Sequence, residues 1–207
     1  MRPQEERSAS SDGAFLGVLE ATMATLLVIF GLCGSGKTDY LFKPLMVACP
    51  DAESHDEGFL RSDDFGQRIK ATVKTALLAG RNCVIVEVEC CFLERRAALD
   101  LWVAENAPGT RRVWVCYEND REKANKNCID REKKGGKGDA VGHVQINGRL
   151  SPRYTIPHDA VTLKINGPSD QRGLPADLPP LEDLGLVADQ QAENGGREAS
   201  KKREDAP

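Results

Sequence analysis

The chain has 207 residues, which fits one domain or one domain with tails. Its 29% charged and 40% apolar residues allow a packed core. Lys and Arg number 28 against 32 Asp and Glu, and a net charge of −4 argues against bulk electrostatic binding to DNA or to an anionic membrane, though not against a local basic patch.

Residues 1–22 read as a flexible N-terminal extension. MRPQEERSASSD is polar and carries no apolar period, and Met23 opens MATLLVIFGLCGSGKT, which reads like a natural protein start. The run 14–33 is mostly apolar, but Glu20 interrupts it and no positive n-region precedes it. It therefore reads as a buried strand feeding a loop, not as a membrane span. Residues 25–30, TLLVIF, are the first strand. Residues 37–48 are expected to be helical, with Leu41, Leu45 and Met46 on one face and Pro44 kinking or shortening the helix. Residues 51–64 are polar and loop-like, with a short strand expected near GFL (58–60). Ile69, Val73, Leu77 and Leu78 predict a helix over 65–79. Residues 83–88 form a second β-rich run, 94–105 a helix broken by Pro108-Gly109, 113–117 a third strong strand, 119–133 a charged helix and 160–165 a last strand.

Strand and helix alternating in this order predict an α/β fold: a three-layer sandwich with a mostly parallel five-stranded sheet. The domain is expected over 23–167. From Pro168 onward the chain holds five of its eleven prolines, and 9 acidic against 5 basic residues carry the whole net charge. Residues 168–207 are therefore expected to be a disordered tail. Its one apolar stretch, LPPLEDLGLV, could dock on the domain or engage a protein partner through 174–188. Seven cysteines, most of them inside apolar runs, suit reduced thiols in a cytoplasmic protein. The three histidines are scattered and no C-x-x-C occurs, so no zinc site is expected.

Gly31-Leu32-Cys33-Gly34-Ser35-Gly36-Lys37-Thr38 matches G-x-x-x-x-G-K-[ST] in full, after a predicted strand and before a predicted helix. The glycines let the backbone curl around an anion without a side-chain clash, and the curl turns successive N–H groups inward. The following helix adds its positive end. Lys37 is expected to reach the β- and γ-phosphates, and the Thr38 hydroxyl to be a Mg²⁺ ligand. A second strand ending in a carboxylate usually accompanies such a loop and orients the water shell of Mg²⁺. Strand alternation puts Glu87 and Glu89 on one side, and Glu87, after four apolar residues, is favoured.

With these motifs the chain resembles the small P-loop kinases: polynucleotide 5′-hydroxyl kinases, zeta toxins and gluconate or shikimate kinases. It looks most like uncharacterised AAA-family ATPases of kinase-like fold. The resemblance covers roughly residues 24 to 165. It is specific at GLCGSGKT and suggestive at VIVEVECCF, at RVWVCYENDREKANKNCIDRE and at LSPRYTIPHDAVTLKI. It implies ATP and Mg²⁺ as cofactors, a lid over about 119–150 and a lid arginine, for which Arg131 is the first candidate and Arg121 the next. It also implies that Asn119 and Asn125 touch the nucleotide or fix the lid; Asn119 read by itself is a helix cap. An acid is implied opposite the acceptor hydroxyl, and Asp63 and Asp64 fall in the expected interval, although one of them also suits a helix cap. Arg95 or Arg96 could bind an anionic acceptor. The lid lacks a tidy arginine pair, and no nucleoside-monophosphate, sugar-acid or shikimate signature is present.

Two functions follow. One is transfer of the γ-phosphate of Mg-ATP to a hydroxyl of a small molecule or a nucleic-acid end. The other is a nucleotide-dependent ATPase or switch acting through a protein partner. A degenerate binding protein that has lost chemistry is disfavoured by the complete G-K-T.

Overall fold

The computed structural model describes residues 23–136 and 138–186. The expected extension at 1–22 and the last part of the expected tail, 187–207, lie outside the described residues. Strand β1 (Thr25–Phe30) is buried at all six positions, as a continuous apolar run in the centre of a parallel sheet must be. Each of its aliphatic side chains contributes about 2 kcal/mol by leaving water. It pairs in parallel with β3 (Cys83–Val86) on one side and with β4 (Arg111–Tyr117) on the other. Strands β2 (Glu53–Asp56) and β5 (Val161–Leu163) close the edges, giving the order β2-β3-β1-β4-β5, every pair parallel.

From β1 the chain steps to one edge of the sheet, and every later crossover steps back the other way. Right-handed connections then place α1 (Lys43–Ala48) on one face, and α2 (Asp64–Leu78) and α3 (Leu93–Asn106) on the other. That gives the three layers. Helices α4 (Arg121–Lys133) and α5 (Ala140–Leu150) pack on each other between β4 and β5.

Five local differences from the sequence-based reading have physical causes. The helix after the glycine loop begins as a π-helical stretch over Lys37–Phe42 before α1 takes over. Pro44 sits in the first turn of α1, where its missing N–H costs nothing. The second strand is not GFL but the polar ESHD just before it. Glu57 and Gly58 both take positive φ (66° and 103°), which ends the strand, and Phe59 plugs into the core from a turn, its ring edge-on to Trp102 at 4.8 Å. Strand β3 stops at Val86, and Val88–Cys91 wind into a 3₁₀ turn, so alternation does not reach Glu89. Helix α4 starts at Arg121 with Asp120 as its cap, accepting from Lys123 N at 3.0 Å; Asn119 is not the cap.

The fifth concerns the tail. Residues 168–186 are not disordered: Leu174, Leu181, Leu184 and Leu186 are buried in the core cluster. Asn82 Nδ2 donates to Gly185 O (3.2 Å), Arg111 Nη2 to Asp183 O (2.6 Å), and Lys164 N to Asp177 Oδ2 (3.0 Å). The apolar stretch docks on its own domain. All seven cysteines are free, and six are buried. No described helix is long and apolar enough to cross a membrane.

Candidate functional site

The loop from Gly31 to Thr38 leaves the C-terminal end of the central strand, the position where open parallel sheets bind ligands. Gly34 and Gly36 take left-handed φ values of 82° and 104°, which explains the choice of glycine at both. Gly34 also lies against α4: a Cβ there would meet Ala124 O at 2.3 Å. Ser35 N closes the curl on Leu32 O at 3.1 Å. The amides of Gly34 and Gly36 have no acceptor among the described residues. The Lys37 ammonium is buried inside the curl and donates to Gly31 O and Leu32 O, both at 3.0 Å.

A cavity of about 570 Å³ opens on this loop. Cys33, Gly34, Gly36, Lys37 and Thr38 line its floor, and Asn127 and Arg131 of α4 with Lys134 and Gly136 line its far side. Arg131 Nη2 lies 3.3 Å from His143 Nδ1, and the chain at Gly136 and Gly138 wraps closely around its side chain. The basic, glycine-broken stretch after α4 is therefore the seat of Arg131. Arg121 is exposed and does not line this cavity. Asn119 does not line it either; its Nδ2 donates to Ser151 O at 2.9 Å.

One carboxylate meets Thr38 in an arrangement that the sequence does not advertise. Thr38 Oγ1 donates to Asp56 Oδ1 at 3.3 Å. Asp56 ends β2, and the next residue, Glu57, lines the cavity. Glu87 follows β3 beside the loop, its N–H on Ile29 O at 2.9 Å, but its side chain is buried and accepts from Leu60 N at 3.0 Å. Burial pushes the Glu87 carboxyl up to about 7 against the pull of the Leu60 and Phe59 amides. Glu89 turns away and pairs with Arg95 at 3.0 Å near the surface, so it does not join Glu87.

Asp63 and Asp64 do not line the cavity. Asp63 is the cap of α2, accepting from Gly66 N at 3.0 Å, and is paired with Arg61. Arg95 is taken up by Glu89. Arg96 is buried, donates to Cys90 O and Thr155 Oγ1 (both 2.6 Å) and faces the Phe30 ring, so it ties the 155 segment to the turn after β3 and is not open to an acceptor. Burial raises the Cys33 thiol above its ordinary range, although Lys37 pulls the other way, so it is a thiol and not a reactive thiolate at neutral pH.

Three asparagines tie the helical hairpin to the loop. Asn127 Nδ2 donates to Gly34 O (2.9 Å) and to Asn166 Oδ1 (2.9 Å). Asn147, fully buried, accepts from Cys33 N at 2.8 Å and donates to Cys33 O and to Asn125 Oδ1, both at 2.9 Å. Asn125 therefore fixes the hairpin through Asn147. Asn127 and Asn147 lie in a polar helix and a mixed one, where an asparagine carries no signal of its own.

No family model matches the chain, and no curated protein matches it. Solved structures do resemble it. A fungal RNA kinase aligns at 15% identity over 79% of this chain and 83% of its own, with a TM-score of 0.49. Kti12 of Chaetomium thermophilum, solved with ADP-AlF3, aligns at 20% identity over 72% of this chain and 92% of its own, with a TM-score of 0.48. A gluconokinase from Sinorhizobium meliloti 1021 aligns at 16% identity over 70% and 85%, with a TM-score of 0.45. The all-parallel sheet with its covering helices makes the chain α/β in its own right, and what its site can do follows from its own residues.

Proposed function

We propose that the chain binds Mg-ATP on the 31–38 loop and transfers the γ-phosphate to a hydroxyl of a small molecule or a nucleic-acid end. The observation that carries this reading is the loop itself: two left-handed glycines with free amides and a buried ammonium facing a cavity that Arg131 closes from the far side. Such a cup suits a polyphosphate, since its donors and its charge are fixed before the ligand arrives.

The donor set near Thr38 also suits Mg²⁺. The Thr38 hydroxyl at the cavity floor is a hard oxygen ligand, and a magnesium ion needs few of these because it keeps water and takes phosphate oxygens. Thr38 would hold the ion, with Glu87 beyond it on the water shell and Asp56 left to the acceptor. When bound, Mg²⁺ neutralises charge on the β- and γ-phosphates.

The chain's own groups supply the rest. Lys37 and Arg131 stabilise charge on the phosphoryl group in flight. Asp56 orients the acceptor hydroxyl and takes its proton as its oxygen bonds to the γ-phosphorus and the bond to ADP breaks; Glu57 lines the same approach. Asp56 replaces Asp63 and Asp64 in that role because it ends the strand beside Thr38, whereas they begin α2. The switch reading loses one of its two candidate partner surfaces, since Leu181, Leu184 and Leu186 of LPPLEDLGLV are buried in the domain, while the N-terminal extension lies outside the described residues. The test is a transfer screen with labelled γ-phosphate over nucleosides, oligonucleotide ends and sugar acids. Transfer to one acceptor class supports the kinase; nucleotide binding with ATP hydrolysis and no transfer to any acceptor supports the switch.

A further inference from the structure

Asn147 meets Cys33 at both of its backbone groups, and this has a directional effect. Its Oδ1 takes the Cys33 N–H and its Nδ2 gives to the Cys33 carbonyl. Exchanging the amide's oxygen and nitrogen would set donor against donor and acceptor against acceptor, so the backbone alone fixes its orientation. Asn125 Oδ1 holds the same Nδ2 from the other side.

The Cys33–Gly34 peptide is trans, as are all described peptides. In a trans peptide the C=O and the N–H point in opposite directions. A Cys33 carbonyl drawn toward α5 therefore sends the Gly34 N–H away from α5. That amide has no acceptor among the described residues, and both Cys33 and Gly34 line the cavity. Asn127 does the same one peptide later: it draws the Gly34 carbonyl to α4, and the Ser35 N–H goes to Leu32 O.

We infer that Asn147 is a positioning residue that aims the Gly34 N–H into the phosphate cup before ligand arrives. This rests on the polyphosphate reading of the loop and adds to it a device the G-x-x-x-x-G-K-T pattern does not contain. The orientation is imposed from α5, more than 110 residues along the chain. The loop would otherwise pay to choose it: glycine at 34 leaves the adjoining peptide free to turn. A fully buried amide with every bond satisfied removes that freedom. The hairpin is then a fixed wall of the site at this point.

The test uses the full chain with inorganic pyrophosphate and Mg-ADP as probes. Titration calorimetry reads affinity, and the ¹⁵N–¹H spectrum reads individual amides. In the wild type, pyrophosphate is expected to move the Gly34 N–H resonance downfield. Asn147→Ala and Asn147→Asp are expected to weaken pyrophosphate binding by roughly tenfold or more and to leave the Gly34 resonance unmoved, while the amides of β3 and β4 keep their positions. Asn147→Ala is the sharper variant, because Asn147→Asp, besides losing the donor to Asn125, adds a negative charge beside the cup. Full affinity with a normal Gly34 response in a folded variant would overturn the inference. So would a wild type that binds pyrophosphate with no response at Gly34, which needs no variant to fold. A wild type that binds neither probe is a different failure, that of the nucleotide reading itself.

Discussion

The Thr38 hydroxyl donates to the Asp56 carboxylate across 3.3 Å, joining the end of the glycine loop to the end of β2. Those two residues are 18 apart in sequence, and parallel pairing of β2 with β3 and of β3 with β1 brings them to the same end of the sheet. If Asp56 handles the acceptor proton, Asp56→Asn keeps the shape and loses the base. Phosphoryl transfer should fall by roughly 100-fold or more while the dissociation constant for ATP changes little. Steady-state kinetics alongside calorimetry would decide it, and transfer at the wild-type rate would remove Asp56 from the mechanism.

The central strand, the glycine loop and the lysine were legible because their pattern is local: six apolar residues, then glycines at fixed offsets. Asp56 was not, because ESHD is polar on both faces and reads as loop; it forms a strand only because β3 offers it an edge. Glu89 was misplaced because a period of two was extended past Val86, where the backbone had already turned to 3₁₀. The docked segment 168–186 was misread because prolines and acids outweigh four leucines in composition, yet those leucines decide the packing. Asn147 is the clearest limit: its partner lies 114 residues away, and nothing about an asparagine in a mixed helix announces it.

Lys37 carries the second prediction. Its ammonium is held by two loop carbonyls inside the curl. Saturating Mg-ATP at a hundred times its dissociation constant should stabilise the wild type by about 2.7 kcal/mol. Lys37→Ala should abolish that gain in a thermal melt. A shift in melting temperature equal to the wild type's would remove the lysine from the site.

Glu87 makes stability depend on pH in the direction opposite to an ordinary paired carboxylate. Its folded pKa, raised to about 7 from 4.5, means that the native state holds a proton the unfolded chain has released. The contribution is complete below pH 4.5, declines as pH rises, and is gone above about 7. The swing is at most ~3 kcal/mol. Glu87→Gln, neutral at every pH, should flatten this slope in urea melts taken from pH 4.5 to 7.5. An unchanged slope would place the titrating group elsewhere.

Asp63 behaves in the opposite sense. Arg61 and the Gly66 amide hold its carboxyl down at about 2, so its stabilisation is present above pH 3.8 and is lost as pH falls toward 2. As a helix cap it should matter for stability and not for turnover. Asp63→Ala should lower the melting temperature by a few degrees at pH 7, remove the acid-side slope and leave phosphoryl transfer untouched. A large loss of transfer in a folded Asp63→Ala protein would return this residue to the site.

Two glycines with the same backbone sign separate strain from packing. Gly34 (φ 82°) and Gly80 (φ 75°) both occupy left-handed space, so alanine at either costs about 1–2 kcal/mol in backbone strain. A Cβ at Gly80 meets nothing within 4 Å, whereas one at Gly34 would sit 2.3 Å from Ala124 O and 2.7 Å from Cys128 Sγ. The carbonyl belongs to the α4 backbone and cannot move aside without the helix. Gly80→Ala should therefore lose about 1–2 kcal/mol in denaturant melts and bind Mg-ATP normally. Gly34→Ala should lose more than that and should bind Mg-ATP far more weakly, because pushing α4 off the loop breaks the Asn127 bond to Gly34 O. Equal losses in the two variants, with nucleotide binding intact in both, would mean that the contact between α4 and the loop is dispensable.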